Sequence, residues 1–559
     1  MVPPFFLISS FDEMPKHSLY GHCFQDEDLI IGDVGYDQYR ITRKAEIRPG
    51  QDGSYIVVNS SDRETTIGTD HSGYYKLFLY RHREDWALSN SLIELARFAA
   101  GKNLPVTIDE SHLSTFFITG PFGNQLTSLR TSVKEIRLVP STREVVIPKS
   151  PGPGVTLRPT ARTEEQGRSY SDGIREYLRV WTGRMAALLQ SDMIVESELT
   201  GGQDSRAVLG LLLAGAQRAG RDLIQKVNFV THPGAQADHA VARQIAEHFG
   251  LRFMDRDPSR RKHVRTELSE AYQKWKSLCL GVYAPIYFPG QRPVPNAVAL
   301  GGAGGEGHRN FYKGRGIEDY LDRRRHSVPS SKHFNKLKQD IIEDLAFLRQ
   351  GSEALVDPMI VHYRHFRDRC HGGRTPQYKN LITPLSSAIL RQASSLSSPE
   401  QLDRRQVAAD ILINANRDLA FMPYDMSDKS FGADHLATLV DAREAIDAAS
   451  TGGRTFAEEA KPEQAGDFTR EKGIQKLRED FLTHYENVEK TGFFPNKYLE
   501  RARRTVEEAA SNGSFVHAVE ACAVSHVILA GELSSLSHKE LQGSSSWQTW
   551  KNALVGRIR

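Results

Sequence analysis

Cysteine is scarce. The four residues among 559, Cys23, Cys279, Cys370 and Cys522, stand apart and form no Cys-x-x-Cys pair. That argues against a disulfide framework or a zinc knuckle and predicts a cytoplasmic protein. Long apolar runs are missing too. No stretch reaches the roughly 18 residues of a membrane helix, so no membrane partner is expected. The start, MVPPFFLISSFDEMPK, has no basic region ahead of its apolar patch and makes a poor signal peptide. Neither sign of charge dominates: 72 Lys and Arg against 69 Asp and Glu leave a net +3. Such a balance gives no footprint for a nucleic acid. There is no internal repeat and no GxxxxGK[ST] loop.

What is present is an ordinary globular composition, 39% hydrophobic and 25% charged, in a chain too long for one core. Residues 1–148 read as β-rich. DLIIGDV, SYIVVNS, YKLFLYR and KEIRLV are β-branched or aromatic runs, interrupted by one helix at NSLIELARFAAG. Residues 149–168, rich in proline, read as a linker. From 169 to 535 strands alternate with helices: a strand at 193–199, then KVNFVTH, then AVALGG. This pattern implies a parallel sheet with crossover helices and a helical end. Residues 536–559 form a tail. The basic run LDRRRH reads as a solvated helix end, and residues 448–468 as a mobile loop with the composition of a lid.

The stretch ELTGGQDSRAVLG joins the first of these strands to a helix. Ligands of parallel sheets bind beyond the strands' carboxyl ends, where helix N-termini offer free N–H groups. Gly201 and Gly202 let the backbone approach an anion, and Thr200 and Ser205 add hydroxyls. Asp204 would repel a phosphate unless a metal lies between, so the turn predicts phosphate with Mg²⁺. A plain Gly-containing β–α turn remains the bland alternative. A second cluster, LGGAGGEGHRNFY, contains Gly302, Gly304 and Gly307 in GxGxxG spacing. The polar, basic sequence after it and its depth in the unit oppose a dinucleotide fold. Paired with the first cluster, it sets Glu306 beside Asp204 across neighbouring strand ends, as a hard cation with phosphate ligands prefers.

These segments resemble the asparagine synthetase-like ATP pyrophosphatases. LTGGQDSR is similar to their SGGxDS pyrophosphate loop, with Thr200 replacing the first Ser. VTHPGAQADHAVARQIAEHFGLRF, GGAGGEGHRNFY, RTPQYKNLITPLSSAILRQASSL and LAFMPYDMSDKSFG resemble later segments of the same half. IGTDHSGYYKLFLYRHREDWALSNSLIELARFA resembles the family's glutaminase-type domain. The resemblance implies an α+β and α/β fold. Its parts are an N-terminal Ntn-like β-sandwich (1–148) and a PP-loop synthetase domain (169–535). Working glutaminase domains carry Cys directly after the initiator Met. Here the sequence reads Met1, Val2, Pro3, and Cys23 lies too far along. The implied reaction is therefore amide formation without glutamine hydrolysis, as in β-lactam synthetases and lasso-peptide cyclases. ATP activates a carboxylate as an acyl-adenylate, and an amine attacks it.

By resemblance, Thr200, Gly201, Gly202, Ser205 and Gly302 hold the nucleotide, and Asp204 and Glu306 hold Mg²⁺. Phe229 and Val230 flank adenine, and Lys429 contacts the departing pyrophosphate or is a plain surface lysine. The family's Asp-Glu pair has become Glu306-Gly307. Arg206 pairs with substrate or phosphate, or with Asp238. His362, His365, Cys370 and His371 lack the spacing of a zinc site, and Tyr363 and Tyr378 carry no assigned role. The expected partner is a small molecule or peptide bearing a carboxylate and an amine. A precursor-delivering or protease subunit is possible for a peptide. Two other readings stand beside this one: a non-catalytic, nucleotide-binding structural or regulatory subunit, and an ammonia-dependent amidating enzyme. A tRNA-thiolating enzyme would want catalytic cysteines and a basic surface.

Overall fold

The computed structural model describes all residues except 1–4, 150–153, 161–167, 232–235, 256–263, 293, 315, 460–464, 516–520 and 538–559. Met1, Val2 and Pro3, and nearly all of the tail, therefore lie outside the described residues.

The short β-branched runs of the N-terminal part form β1 (Leu7–Ser9), β2 (His17–Gln25), β3 (Asp28–Ile31), β4 (Gly53–Ser60), β5 (Glu64–Thr69), β6 (Phe78–His82), β7 (Asp85–Ser89), β8 (Ile136–Leu138), β9 (Arg143–Pro148) and β10 (Thr156–Pro159). One sheet runs β1-β7-β6-β8, the other β10-β9-β5-β4-β2-β3. Ile56, Val58 and Ile67 of one sheet share a buried core with Phe78, Tyr80 and Leu88 of the other. Removing each such side chain from water contributes roughly 1.5–3 kcal/mol. The run DLIIGDV is not one strand. β3 ends at Ile31, Gly32 turns the chain at φ 65°, and a helix follows at Gly32–Arg43. Tyr36 and Tyr39 of this helix pack with Leu19, Cys23 and Tyr55 in a separate small core.

Two stretches read as connectors are built into this sheet. The proline-rich 149–168 segment carries β10, which pairs antiparallel with β9 over Thr156–Pro159. The 448–468 segment carries a strand, Thr455–Phe456, parallel to β3. Its other end is held as well, because Gly466 and Phe468 donate backbone bonds to Arg265 and Thr266. The described parts of this segment are thus hydrogen-bonded on both sides. Residues 460–464 lie outside the described residues.

The C-terminal part is organised by β11 (Ile194–Glu198), β12 (Val227–Thr231), β13 (Phe253–Asp255), β14 (Val264–Arg265), β15 (Gln291–Arg292), β16 (Ala297–Leu300) and β17 (Leu381–Ile382), with Thr455–Phe456 as β18. The main sheet has order β13-β12-β11-β16-β17 with every pair parallel. β14 and β15 form a separate antiparallel pair. The helices Gln203–Ala219 and Gln236–His248 are the crossovers from β11 to β12 and from β12 to β13. Strand order reverses between β11 and β16, and a crevice opens at such a switch point beyond the strand ends.

Hydrophobic packing does not follow the division at 148. The core of the sandwich continues into the helices Leu268–Cys279, Ser331–Leu348, Arg470–Thr491 and Ala521–Leu536, through Trp275, Leu337, Phe481 and Leu529. The parallel sheet has its own core, which takes in Phe24, Leu29 and Ile31 from β2 and β3. Among the described residues, no helix is long and apolar enough to cross a membrane.

Candidate active site

The alternation in IVESEL positions the site. Val195, Ser197 and Leu199 are fully buried. Ile194, Glu196 and Glu198 face the other way, into a cavity of about 990 Å³. Beyond β11 the chain enters the glycine turn. Ser205 Oγ lies 2.9 Å from Thr200 Oγ1 and accepts from the Thr200 N–H at 3.1 Å, while the Gly202 N–H donates to Thr200 Oγ1 at 3.2 Å. Asp238 accepts from the Gly201 N–H at 3.1 Å. Gly202 then caps the helix Gln203–Ala219, whose free N–H groups and dipole favour an anion. Thr200, Asp204 and Ser205 all line the cavity.

The second glycine cluster follows β16 and closes on the first. A Cβ on Gly302 would sit 2.9 Å from Asp204 Cβ and 3.0 Å from the Ser205 backbone N, and one on Gly305 would meet the Asp204 carboxylate. Only bare backbone fits there. Gly302→Ala is expected to push the two turns apart, destabilising the fold by about 1–3 kcal/mol. On the nucleotide-binding reading proposed below, it should also weaken that binding far more than a surface Gly→Ala change would. Chemical denaturation and nucleotide titration of the purified variant measure both.

Asp204 and Glu306 meet around one cation. Arg309 Nη2 lies 3.2 Å from Asp204 Oδ2 and 3.6 Å from Glu306 Oε1. Tyr363 donates to the other Glu306 oxygen at 3.1 Å. Burial pushes the Asp204 carboxyl up to about 6. Arg309 opposes that rise and the Glu306 charge adds to it. Because the folded value exceeds the unfolded one, this group destabilises the fold as pH climbs from about 4 to 6. Its ionised form, which a divalent cation requires, is lost below pH 6. On the magnesium-binding reading proposed below, that binding is expected to weaken as pH falls below about 6, because protons then compete for Asp204. Titrating ATP with and without Mg²⁺ across that range checks it.

Several anticipated residues land differently. Val230 lines the cavity with Asn228, but the Phe229 ring is buried in the sheet core on the opposite face, as strand alternation requires. Phe229 is thus no adenine-flanking side chain. Arg206 does not pair with Asp238. It is fully buried, donates to the carbonyls of Met422 and Pro423, and lies 3.7 Å over the Tyr424 ring. Its guanidinium ties the 419–424 segment to the helix. Lys429 is not among the residues that line the cavity. Its Nζ donates to Asp425 at 2.6 Å, and its carbonyl accepts from Gln203 at 2.7 Å, so the glycine turn itself holds this segment. The histidines near 362–371 scatter. His365 bonds Glu353, His362 stacks on Phe122, and His371 sits against Tyr283. Cys23 is buried and its thiol is pushed well up by that burial, so it is no nucleophile.

Tyr287, Phe288, Tyr363, Asp368, Arg374, Tyr378 and Phe468 also line the cavity. Tyr363–Asp368 is a single π-helical turn, a feature frequent at functional sites. Asp368 is held from the N-terminal part: Tyr74 donates to its Oδ2 at 3.0 Å. Burial pushes Asp368 up to about 7, against the Tyr74 hydrogen bond and with help from the Glu306 charge. Arg309, Asp368 and Arg374 escaped the sequence reading. The polar run HRNFY was a signal for the first, and the other two had none.

With that geometry in hand, a scan against protein-family models matches none, and a search of curated proteins returns no match.

Proposed function

We propose that this chain is an ATP-dependent ligase of the asparagine synthetase-like type that forms an amide bond, using an amine of its substrate rather than glutamine. The observation that carries the reading is the convergence of Asp204 and Glu306 on one cation position beside a glycine turn at a helix N-terminus. Both are hard oxygen donors within reach of one cation position, the Arg309 guanidinium, so the residues fit Mg²⁺. Bound there, Mg²⁺ would neutralise phosphate charge.

In the proposed reaction a substrate carboxylate oxygen attacks the α-phosphorus of ATP and pyrophosphate leaves. The amine then attacks the acyl carbon and AMP departs. Thr200, Ser205 and the N–H groups of the helix start receive phosphate oxygens, and Val230 and Asn228 border the base. The chain's work is mostly orientation and charge stabilisation. Asp368, with a carboxyl near 7, is the group on the cavity wall suited to take the amine's proton.

One observation favours a second reading. Arg309 already bridges the two carboxylates, as in a site where a guanidinium has replaced the metal in a non-catalytic, nucleotide-binding subunit. Titration with ATP, with and without Mg²⁺, separates the two. Binding that needs Mg²⁺ supports the ligase. Binding indifferent to Mg²⁺ and abolished by Arg309→Met supports the regulatory subunit. Absence of ATP binding under either condition sinks both.

A further inference from the structure

The basic run LDRRRH closes the short helix Ile317–Asp322 and leads toward the helix Ser331–Leu348. Its one acid is engaged elsewhere: Lys338 donates to both oxygens of Asp322, at 2.7 and 2.8 Å. The three arginines that follow find only neutral oxygens. Arg323 Nε donates to the Asp319 carbonyl at 3.3 Å, Arg324 Nη1 to the Tyr320 carbonyl at 3.0 Å and Arg325 Nη2 to Ser331 Oγ at 2.9 Å. Among the described residues, none of the three forms an ion pair with a carboxylate. Arg323 and Arg325 are exposed, as is Lys332 beside Ser331. A chain whose 72 basic and 69 acidic residues nearly cancel thus gathers uncompensated charge at one place.

A helix end favours cations near its last carbonyls, and the effect fades within a turn. That accounts for Arg323 and Arg324, which bond the helix's own carbonyls. It does not account for Arg325, which reaches past them to the next helix. The arrangement is also held in place. The Arg324 guanidinium carbon lies 3.5 Å from the Tyr320 ring centre, and that ring packs on Phe122 at 5.0 Å and Tyr312 at 5.6 Å. Tyr312 in turn meets Tyr363, a residue of the cavity wall, at 6.2 Å. A ladder of rings therefore joins the basic surface to the site. Most N–H donors of each guanidinium stay open, in the planar fork that matches a carboxylate.

The surroundings select the partner. A nucleic acid presents closely spaced charge along its length, and Glu318 and Asp319 stand exposed on the same helix to repel it. A membrane surface wants apolar side chains next to the cations. Among the described residues, no large apolar side chain between 317 and 332 is exposed. An acidic peptide can set single carboxylates in the forks while its backbone passes clear of Glu318 and Asp319. We infer that Arg323, Arg324 and Arg325 form a docking surface for an acidic segment of another polypeptide. Such a surface would serve a ligase and a regulatory subunit alike, so it stands or falls apart from the ligase reading.

The test uses the full chain at neutral pH and low salt. The probes are a fluorescein-labelled peptide of alternating Glu and Gly, its Gln-Gly counterpart, a labelled single-stranded RNA, and vesicles of phosphatidylserine in phosphatidylcholine. The wild type is expected to hold the Glu peptide about tenfold or more tighter than the other three, with the gap closing as salt rises. Arg323→Gln with Arg325→Gln, which keeps the Arg324–Tyr320 stack, should lose most of that preference. Adding Arg324→Gln should remove it. Lysine at all three positions should retain part, because the charge stays and the fork goes. Arg501→Gln, Arg503→Gln and Arg504→Gln together take an equal charge from exposed arginines of the helix Asn496–Asn512 and should leave the preference intact. The double variant and this control should melt where the wild type does, since their side chains are exposed. No preference for the Glu peptide, its survival in the triple glutamine variant, or its equal loss in the control overturns the docking surface. Tighter binding of RNA or of vesicles, lost in the same triple variant, overturns it in favour of a nucleic acid or a membrane.

Discussion

On the ligase reading, Asp204→Asn is expected to abolish magnesium-dependent binding of ATP, with a loss on the order of a hundredfold or more, and to leave the protein folded. The carboxylate is one of two that would face the metal, and losing a charged ligand to a small divalent ion removes several kcal/mol of stabilisation. Asn keeps the size of the side chain, so the contacts to Gly302 and Gly305 are preserved. Glu306→Gln should act in the same direction. Arg309→Met should act oppositely, raising Mg²⁺ affinity, because the guanidinium competes for the same two oxygens. This opposite sign is the useful part of the experiment. A passive ion pair would make all three substitutions harmless to ATP binding. A structural one would make all three unfold the protein.

The largest stability effect is expected at Glu353. It is 4% exposed and accepts from Arg391 Nε at 2.8 Å, His365 Nε2 at 2.7 Å and Arg364 Nη1 at 3.1 Å. Burial by itself would raise its carboxyl, but Arg391, His365 and Arg364 outweigh that and hold it well below the ordinary value. Glu353→Gln leaves two buried guanidinium groups without their acid, which costs about 3–5 kcal/mol. Chemical denaturation should show a lower midpoint at an unchanged slope. The depressed carboxyl contributes fully above the unfolded value near 4, and its contribution fades as pH falls toward the folded value. The gap between wild type and variant should therefore be widest at neutral pH and shrink below pH 4. The site should suffer as well, since Arg364 also donates to the Gly307 carbonyl at 2.9 Å and sits beside Tyr363.

The parts of the site that lie on one strand, turn and helix were readable in the sequence. Thr200 to Ser205 announce themselves because strand alternation, paired glycines and an apolar helix follow one another within a few residues. Glu306 was reachable because a second glycine cluster follows a second strand. Of Phe229 and Val230, named together by resemblance, only Val230 turns its side chain to the cavity. What stayed hidden depends on contacts distant in the chain. Nothing local to Asp368 marks it until Tyr74, 294 positions earlier, is seen against it. The same holds for β18, two residues whose strand character comes only from lying alongside β3. It holds also for Arg206, whose partners are carbonyls more than two hundred positions away.

The Tyr74–Asp368 contact and the core shared across residue 148 bear on inheritance. A gene is ordinarily free to shed a segment on which the rest of the chain does not lean. Here shedding the N-terminal region would bare Trp275, Phe481 and Leu529, which rest in the same core as the sandwich, and would strip Asp368 of the hydroxyl that steadies it. A fragment starting at Tyr170 would be sticky and short of a properly held acid. The C-terminal part thus leans on the N-terminal region for its core and for the Tyr74 contact to Asp368, and placed alone on another protein it would carry over neither.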